Sequence, residues 1–251
     1  MRKIKQLFFI ILLILLMAGC SSKENKKEIN ISAAASLKEV MFDIKEKYEK
    51  NNKDIKLVIN YGSSGALKQQ IEQGAPCDVF ISAGEEQIDE LDKEGLLHSD
   101  TIEEFTKNKL VLVSHKNSDL NNIESLVDSK YKNIAIGNIE TVPAGKYANE
   151  VLESTKLKDK IKDKLVFGKD VKEVLSWVIS DNADAGFVYL SDTVNQENLK
   201  IVENINKKYH SPIIYPVAIT KSSKNYNESK SLEKYLLSDE VKEILSKYGY
   251  K

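Results

Sequence analysis

Tyr61-Gly-Ser-Ser-Gly-Ala-Leu67 stands between the β-rich run Ile55-Lys-Leu-Val-Ile59 and the helix-like segment Ala66-Leu-Lys-Gln-Gln-Ile-Glu-Gln73. Glycine and small hydroxyl residues at a strand-to-helix junction let the backbone approach a ligand closely and leave N–H groups free at the positive end of a helix. Such an end suits an anion. Taken alone, the junction reads as a plain cap, with Ser63 or Ser64 closing the first turn. Recurrence changes that reading, because three similar junctions stand elsewhere in the chain.

On the amino-terminal side, Ile29-Asn-Ile-Ser-Ala-Ala-Ala35 reads as a strand, followed by Leu37, Val40, Met41, Ile44 and Tyr48 at helical spacing. Ser36 is placed to cap that helix, with Glu39 completing a capping box. On the other side, Gly74 closes the helix and Ala75-Pro-Cys-Asp-Val-Phe-Ile-Ser82 reads as the next strand. A helix over 87–93 follows, ended by Gly95. This alternation of strand and helix predicts βαβ units.

After the apolar strand Leu110-Val-Leu-Val-Ser114 the pattern begins again, so the first crossing into a second unit is placed there. That unit contains Asn133-Ile-Ala-Ile-Gly137, then Val142-Pro-Ala-Gly145 leading into a helix with Tyr147, Ala148, Val151 and Leu152. A strand Lys164-Leu-Val-Phe167 precedes Asp170-Val171, where Asp170 and Glu173 form a second capping-box pattern. Ala185-Gly-Phe-Val-Tyr-Leu-Ser191 reads as a buried strand with Tyr189 near its carboxyl end, and Ile213-Ile-Tyr-Pro-Val-Ala-Ile219 as the return crossing. Amphipathic helices over 228–237 and 239–248 finish the chain. In open α/β sheets ligands collect at the carboxyl ends of strands, and the cleft between two such units is the natural site.

With the loops at Ser36, Ser64, Ala144 and Val171 facing one cleft and Tyr189 reaching in, the cleft holds hydroxyls, backbone N–H groups and a phenol. A dianion is desolvated there by exchanging water donors for protein donors. A cationic ligand would want carboxylates, and these loops mostly lack them; Asp170 is placed as a helix cap.

At 251 residues, 41% apolar and 30% charged, the chain supports a sizeable core without staples. Arg2, Lys3 and Lys5 precede the apolar run Leu7-Phe-Phe-Ile-Ile-Leu-Leu-Ile-Leu-Leu-Met17 and Ala18-Gly19-Cys20, the pattern of a secretory signal and too short a run to span a bilayer. Cys20 after Ala-Gly resembles a lipobox cysteine, lipidated and made the new N-terminus, with residues 21–27 as a tether. Cleavage before Cys20 lowers the 37 basic side chains to 34 against 38 acidic ones, a formal charge of −4 with no arginine left. That balance lacks the footprint of a nucleic-acid binder. Cys77 is the only other cysteine, and His98, His115 and His210 show no metal-ligand spacing.

Ala33-Ala-Ala-Ser-Leu37, Gly62-Ser-Ser64, Gly74-Ala-Pro-Cys-Asp-Val-Phe-Ile-Ser82, Val142-Pro-Ala-Gly-Lys-Tyr-Ala148, Asp170-Val171 and Gly186-Phe-Val-Tyr189 occur in an order that resembles the molybdate-binding proteins of ABC importers. The resemblance runs from Ile29 to Tyr250. It implies a two-lobed α/β fold of the type II periplasmic-binding-protein kind, each lobe a mostly parallel sheet flanked by helices. The divisions expected are 1–19 signal peptide, 20–28 lipidated cysteine and tether, 29–111 with 217–251 as lobe I, and 112–216 as lobe II. It implies Ser36 and Ser64 as hydroxyl and N–H donors, Ala144 and Val171 as N–H donors, and the Tyr189 phenol, all toward molybdate or tungstate. It further implies an extracytoplasmic monomer, held to the outer face of the cell membrane through Cys20, with an ABC permease as partner and no cofactor. Sulfate or another oxyanion in the same fold is the competing reading, and a surface lipoprotein without transport a further one.

Hydrolytic and nucleotide motifs fail. Gly62-Ser-Ser-Gly-Ala66 ends in Ala where a nucleophile elbow needs Gly, and Glu140 stands where a P-loop ending at Gly145-Lys146 needs Gly. Ser129-x-x-Lys132 and Ser231-x-x-Lys234 lack the K-T-G and S-D-N partners of an S-x-x-K enzyme.

Overall fold

The computed structural model describes residues 26–251, so the expected signal peptide and lipidated Cys20 lie outside the described residues. The strands are β1 (Lys27–Ala34), β2 (Ile55–Gly62), β3 (Val79–Ile81), β4 (Glu103–Lys107), β5 (Leu110–His115), β6 (Ile134–Gly137), β7 (Leu165–Gly168), β8 (Ala185–Tyr189), β9 (Leu199–Asn204) and β10 (Ile214–Ile219). They form two five-stranded sheets of matching layout, β2-β1-β3-β10-β4 and β7-β6-β8-β5-β9. In each, three strands pair in parallel, and the fourth runs against both of its neighbours. The reversed strand is always the one arriving from the other sheet. β4 runs toward the junction and the chain crosses at once, so β5 must start there and run back. Four of five strands in each sheet therefore point the same way, toward the gap between sheets.

Helices α1 (Lys38–Asn51), α2 (Ser64–Glu72) and α3 (Glu86–Lys93) follow β1, β2 and β3, and α4 (Pro143–Ser154) follows β6. After the single turn α5 (Lys158–Ile161) come α6 (Val171–Ile179), α7 (Tyr226–Leu236) and α8 (Asp239–Lys247). The apolar spacing read from sequence is the buried face of α1, where Val40, Met41, Ile44 and Tyr48 are covered. Each such side chain contributes about 1.5–3 kcal/mol on burial. β3 shows why its run is continuous rather than alternating. Val79 and Ile81 join the core shared with α1, α7 and α8, and Phe80 joins a second cluster with Leu67 and Ile71 of α2 and Ile88 and Leu91 of α3. Both faces of that sheet are roofed by helices.

Three expectations are corrected. The crossings placed within Leu110–Ser114 and Ile213–Ile219 are whole strands of one sheet each, and the changeovers fall at Asn108–Lys109 and between β9 and β10. Lys27 and Glu28, expected in the tether, open β1, where the Lys27 N–H donates to the Asp54 carbonyl at 2.8 Å. Strands β4 (EEFTK) and β9 (LKIVEN) carry no long apolar run, because both are sheet edges: β4 holds Glu103, Glu104 and Lys107 in solvent, which discourages pairing with other chains, and β9 uses Lys200 and Glu203 to bind the backbone at Leu120 and Ile123. Pro216, inside β10, has no N–H to give, and the register with β4 shifts between Tyr215 and Pro216.

The carboxyl end of β6 meets the first turn of α4 at a distance only glycine permits. A Cβ on Gly145 would lie 2.1 Å from the Gly137 carbonyl oxygen. Gly145→Ala is expected to lower the unfolding midpoint by roughly 3–10 °C, the range for a 1–3 kcal/mol overpacking penalty in a chain of this size. Thermal unfolding followed by circular dichroism checks it, and an unchanged midpoint would show that α4 can back away freely.

Candidate functional site

The carboxyl ends of β1, β2, β3, β6, β7 and β8 converge, and between them lies a small cavity of ≈ 10 Å³. Sites for drug-sized ligands run to about 300–1,000 Å³, so this closed space excludes them and leaves room only for a very small solute. All five residues expected from sequence line it: Ser36 and Ser64 from one sheet's loops, Ala144, Val171 and Tyr189 from the other's. Ala83, Val142 and Pro143 line it as well, and sequence reading had not placed them in the site.

Position in the helix decides what each backbone offers. Ser64 and Val171 are the first residues of α2 and α6, and Ala144 follows Pro143 at the start of α4. An N–H there has no carbonyl one turn earlier to bind. Among the described residues none of these three N–H groups has an acceptor. Three helix starts from two sheets thus bring unpaired donors and positive dipole ends to one small space.

The hydroxyls are arranged differently from the capping roles expected. Ser36 does not cap α1; it lies in a 3-10 turn, Ala35–Leu37, and its Oγ is 3.0 Å from the Tyr215 Oη. At the second junction Ser63 is the cap, accepting from the Ala66 N–H at 3.4 Å. That frees the Ser64 Oγ, which accepts from the Ala83 N–H at 2.9 Å. Asp170 caps α6 through the Glu173 N–H at 2.9 Å, but the box is not reciprocal, since Glu173 turns to the Lys169 N–H at 2.7 Å. The Asp170 carboxylate is therefore occupied by backbone. Tyr189 is 1% exposed, and its phenol donates to the Ala83 carbonyl at 3.5 Å, a bond at the limit of length and easily exchanged. Burial pushes the Tyr189 and Tyr215 phenols well above the usual tyrosine range, so both remain O–H donors.

No histidine lines the cavity. Among the described residues no cluster of His, Cys, Asp and Glu is placed to hold a metal ion. Cys77 is buried, and its thiol is pushed up to about 11 by burial, away from the reactive thiolate.

The lobes meet around the cavity. The Gly65 N–H donates to the Thr141 carbonyl at 2.9 Å, backbone to backbone across the gap. Lys146 Nζ lies 2.7 Å from Glu86, and Lys172 Nζ 2.6 Å from Glu39. Lys172 also sits 2.9 Å from Asp192, whose other oxygen accepts the Tyr189 N–H at 3.0 Å. Asp192 is 2% exposed, and burial raises its pKa while Lys172 opposes the shift.

Two outcomes follow from these contacts. A Cβ on Gly65 would lie 2.7 Å from the Thr141 Cα and carbonyl oxygen, atoms of the opposite lobe. Gly65→Ala should leave the ligand-free unfolding midpoint nearly unchanged and weaken ligand affinity between about 10- and 100-fold by calorimetry, since only closure is obstructed. Lys172→Met should cost about 2–4 kcal/mol in denaturant unfolding because it strands the buried Asp192, whereas Glu39→Gln, removing a half-exposed partner, should cost under about 1 kcal/mol. Equal effects would show that the Lys172–Asp192 pair is not buried in solution.

Comparison with known proteins agrees with this geometry. Residues 29–251 match the family model described as bacterial extracellular solute-binding protein. The chain is 42% identical over 244 residues to YvgL of Bacillus subtilis, provisionally named an ABC transporter substrate-binding lipoprotein, covering 94% of this chain and 93% of that one. It is 34% identical over 245 residues to the molybdate-binding protein ModA of Haemophilus influenzae, covering 94% and 95%. Among solved structures, the substrate-binding domain provisionally assigned to a molybdenum ABC transporter of Clostridium difficile is 57% identical, with a TM-score of 0.70 over 89% of this chain and 98% of that one.

Proposed function

The chain belongs to the bacterial extracellular solute-binding proteins, and we propose that it captures molybdate, with tungstate as an alternative ligand, outside the membrane and delivers it to the permease of an ABC importer. The observation that carries this reading is the small cavity lined by three unpaired backbone N–H groups and by serine and tyrosine hydroxyls, whose one carboxylate, Asp170, accepts from the Glu173 N–H. Molybdate is fully deprotonated near neutral pH and only accepts hydrogen bonds, so such a lining satisfies it. Hydrogen phosphate carries a proton and needs an acceptor. Sulfate is acceptor-only but smaller, and donors spaced for molybdate would be left unpaired around it. The relatives named for molybdate support the same choice.

Ser36, Ser64, Ala144, Val171 and Tyr189 are the proposed ligand donors. The anion enters the open gap, both lobes contribute donors, and closure is held by contacts available only when the lobes meet: Gly65 to Thr141, Lys146 to Glu86, and Lys172 to Glu39. The work is binding without bond chemistry. The closed form then docks on the permease as a monomer tethered through lipid on Cys20.

Thermal unfolding in molybdate, tungstate, sulfate and phosphate tests the reading. A ligand at 100 times its Kd adds about 2.7 kcal/mol to stability if only the native state binds it. Molybdate and tungstate should raise the midpoint and phosphate should not; a shift with sulfate alone overturns the assignment.

A further inference from the structure

We infer that Tyr215 and Asn108, which do not line the cavity, are positioning residues that fix the Ser36 hydroxyl as a donor into it and thereby set the site's discrimination against anions that carry a proton. This rests on the oxyanion reading above and concerns how that site selects.

The relay is oriented from its far end. The Lys109 N–H can only donate, and it faces the Asn108 side chain at 2.9 Å, so the atom there is the amide oxygen. The Asn108 Nδ2 therefore faces the Ser191 Oγ at 2.9 Å and the Tyr215 Oη at 3.3 Å. Tyr215 is 0% exposed and its phenol stays protonated. The phenol oxygen accepts from Asn108, and of the two hydroxyls it faces, the Ser36 Oγ at 3.0 Å and the Tyr189 phenol, the relay gives its proton to Ser36. The Ser36 oxygen thus accepts from within the protein, and its proton is left for the cavity. The Tyr250 phenol holds the turn by donating to the Ser36 carbonyl at 2.8 Å, its ring edge-on to that of Tyr215.

Ser64 is set by the same logic, since its oxygen accepts the Ala83 N–H. Both serines then offer protons inward with a lone pair already engaged behind them. A fully deprotonated anion meets donors at each serine. A hydrogen-bearing anion places an O–H against one of them and leaves it unpaired, which is costly when buried. Neither Asn108 nor Tyr215 touches the ligand space. Asn108 stands at the changeover between β4 and β5 and Tyr215 in β10, the strand that follows the second changeover, so the relay is assembled beside the two points where the chain passes between sheets.

The test is a cycle of wild type, Tyr215→Phe, Ser36→Ala and the double variant, titrated calorimetrically with molybdate and inorganic phosphate, phosphate being read by competition where it is weak. Tyr215→Phe keeps the ring and frees the Ser36 oxygen to accept. Molybdate affinity should fall about five- to tenfold, phosphate affinity should hold or rise, and the ratio between them should drop at least tenfold. In the Ser36→Ala background the same change should alter the ratio less than twofold. A purely structural tyrosine would weaken both anions equally or act independently of Ser36, and either result overturns the inference. If Tyr215→Phe does not fold, Asn108→Ala opens the relay from its other end and should lower the ratio in the same direction; an unchanged ratio there is equally fatal. Wild type that ignores molybdate sinks the proposed function instead, and sulfate then serves as the acceptor-only probe in the same cycle.

Discussion

A backbone N–H in the first turn of a helix has no partner one turn back, and hiding such a group from water without an acceptor costs on the order of 1–3 kcal/mol. Three of them, at Ser64, Ala144 and Val171, open onto one small cavity from helices that belong to two different sheets. Everything around them follows from that concentration of unmet donors. A solute with only lone pairs to offer resolves it; water does so only while the lobes are apart. Closure and occupancy are coupled because closed, empty walls face one another as donors.

The architecture supplies the donors by repetition. Each sheet sends four strands toward the gap, three of them paired in parallel, and the fifth, arriving from the other sheet, runs back between two of them. Where the chain changes sheets, Asn108 meets the Tyr215 phenol of β10, and Tyr215 in turn reaches Ser36. Close packing then does what side-chain chemistry cannot. The absence of a Cβ at Gly145 lets α4 start against β6, and its absence at Gly65 lets one lobe's helix rest on the other's backbone. Charge is kept at the periphery. Lys172 lies beside the cavity but is spent on Asp192 and Glu39, so the site relies on dipoles and not on a free ammonium.

Much of this was legible in the order of residues. Val40, Met41, Ile44 and Tyr48 face the core because apolar spacing of a helix reflects one roofed side, and that signal is local. The junctions at Ser36, Ser64, Ala144 and Val171 carried small residues next to strand ends, and all four reach the same cavity. What escaped notice was polar or non-local. β4 and β9 are edges interrupted by charged residues, in solvent on β4 and bonded to neighbouring backbone on β9, so they present no long apolar run. Ser36 was expected as a cap because Glu39 stands three residues on; a turn of 3-10 geometry and a phenol from β10 redirected it. Ser63, not Ser64, took the capping role, a choice between neighbours that only backbone angles make.

The chain's own order determined two α/β units, the loops that line the cavity, and a lining poor in charge, since these rest on periodicity and residue type within a few positions. Tertiary structure alone brought the Ser36 hydroxyl to the partner on which its orientation depends. Asn108 and Tyr215 are 107 residues apart, and Tyr215 and Ser36 are 179 apart. A hydrogen bond has direction, and the groups that meet Ser36 and Tyr215 come from distant parts of the chain, a relation that no local spacing encodes.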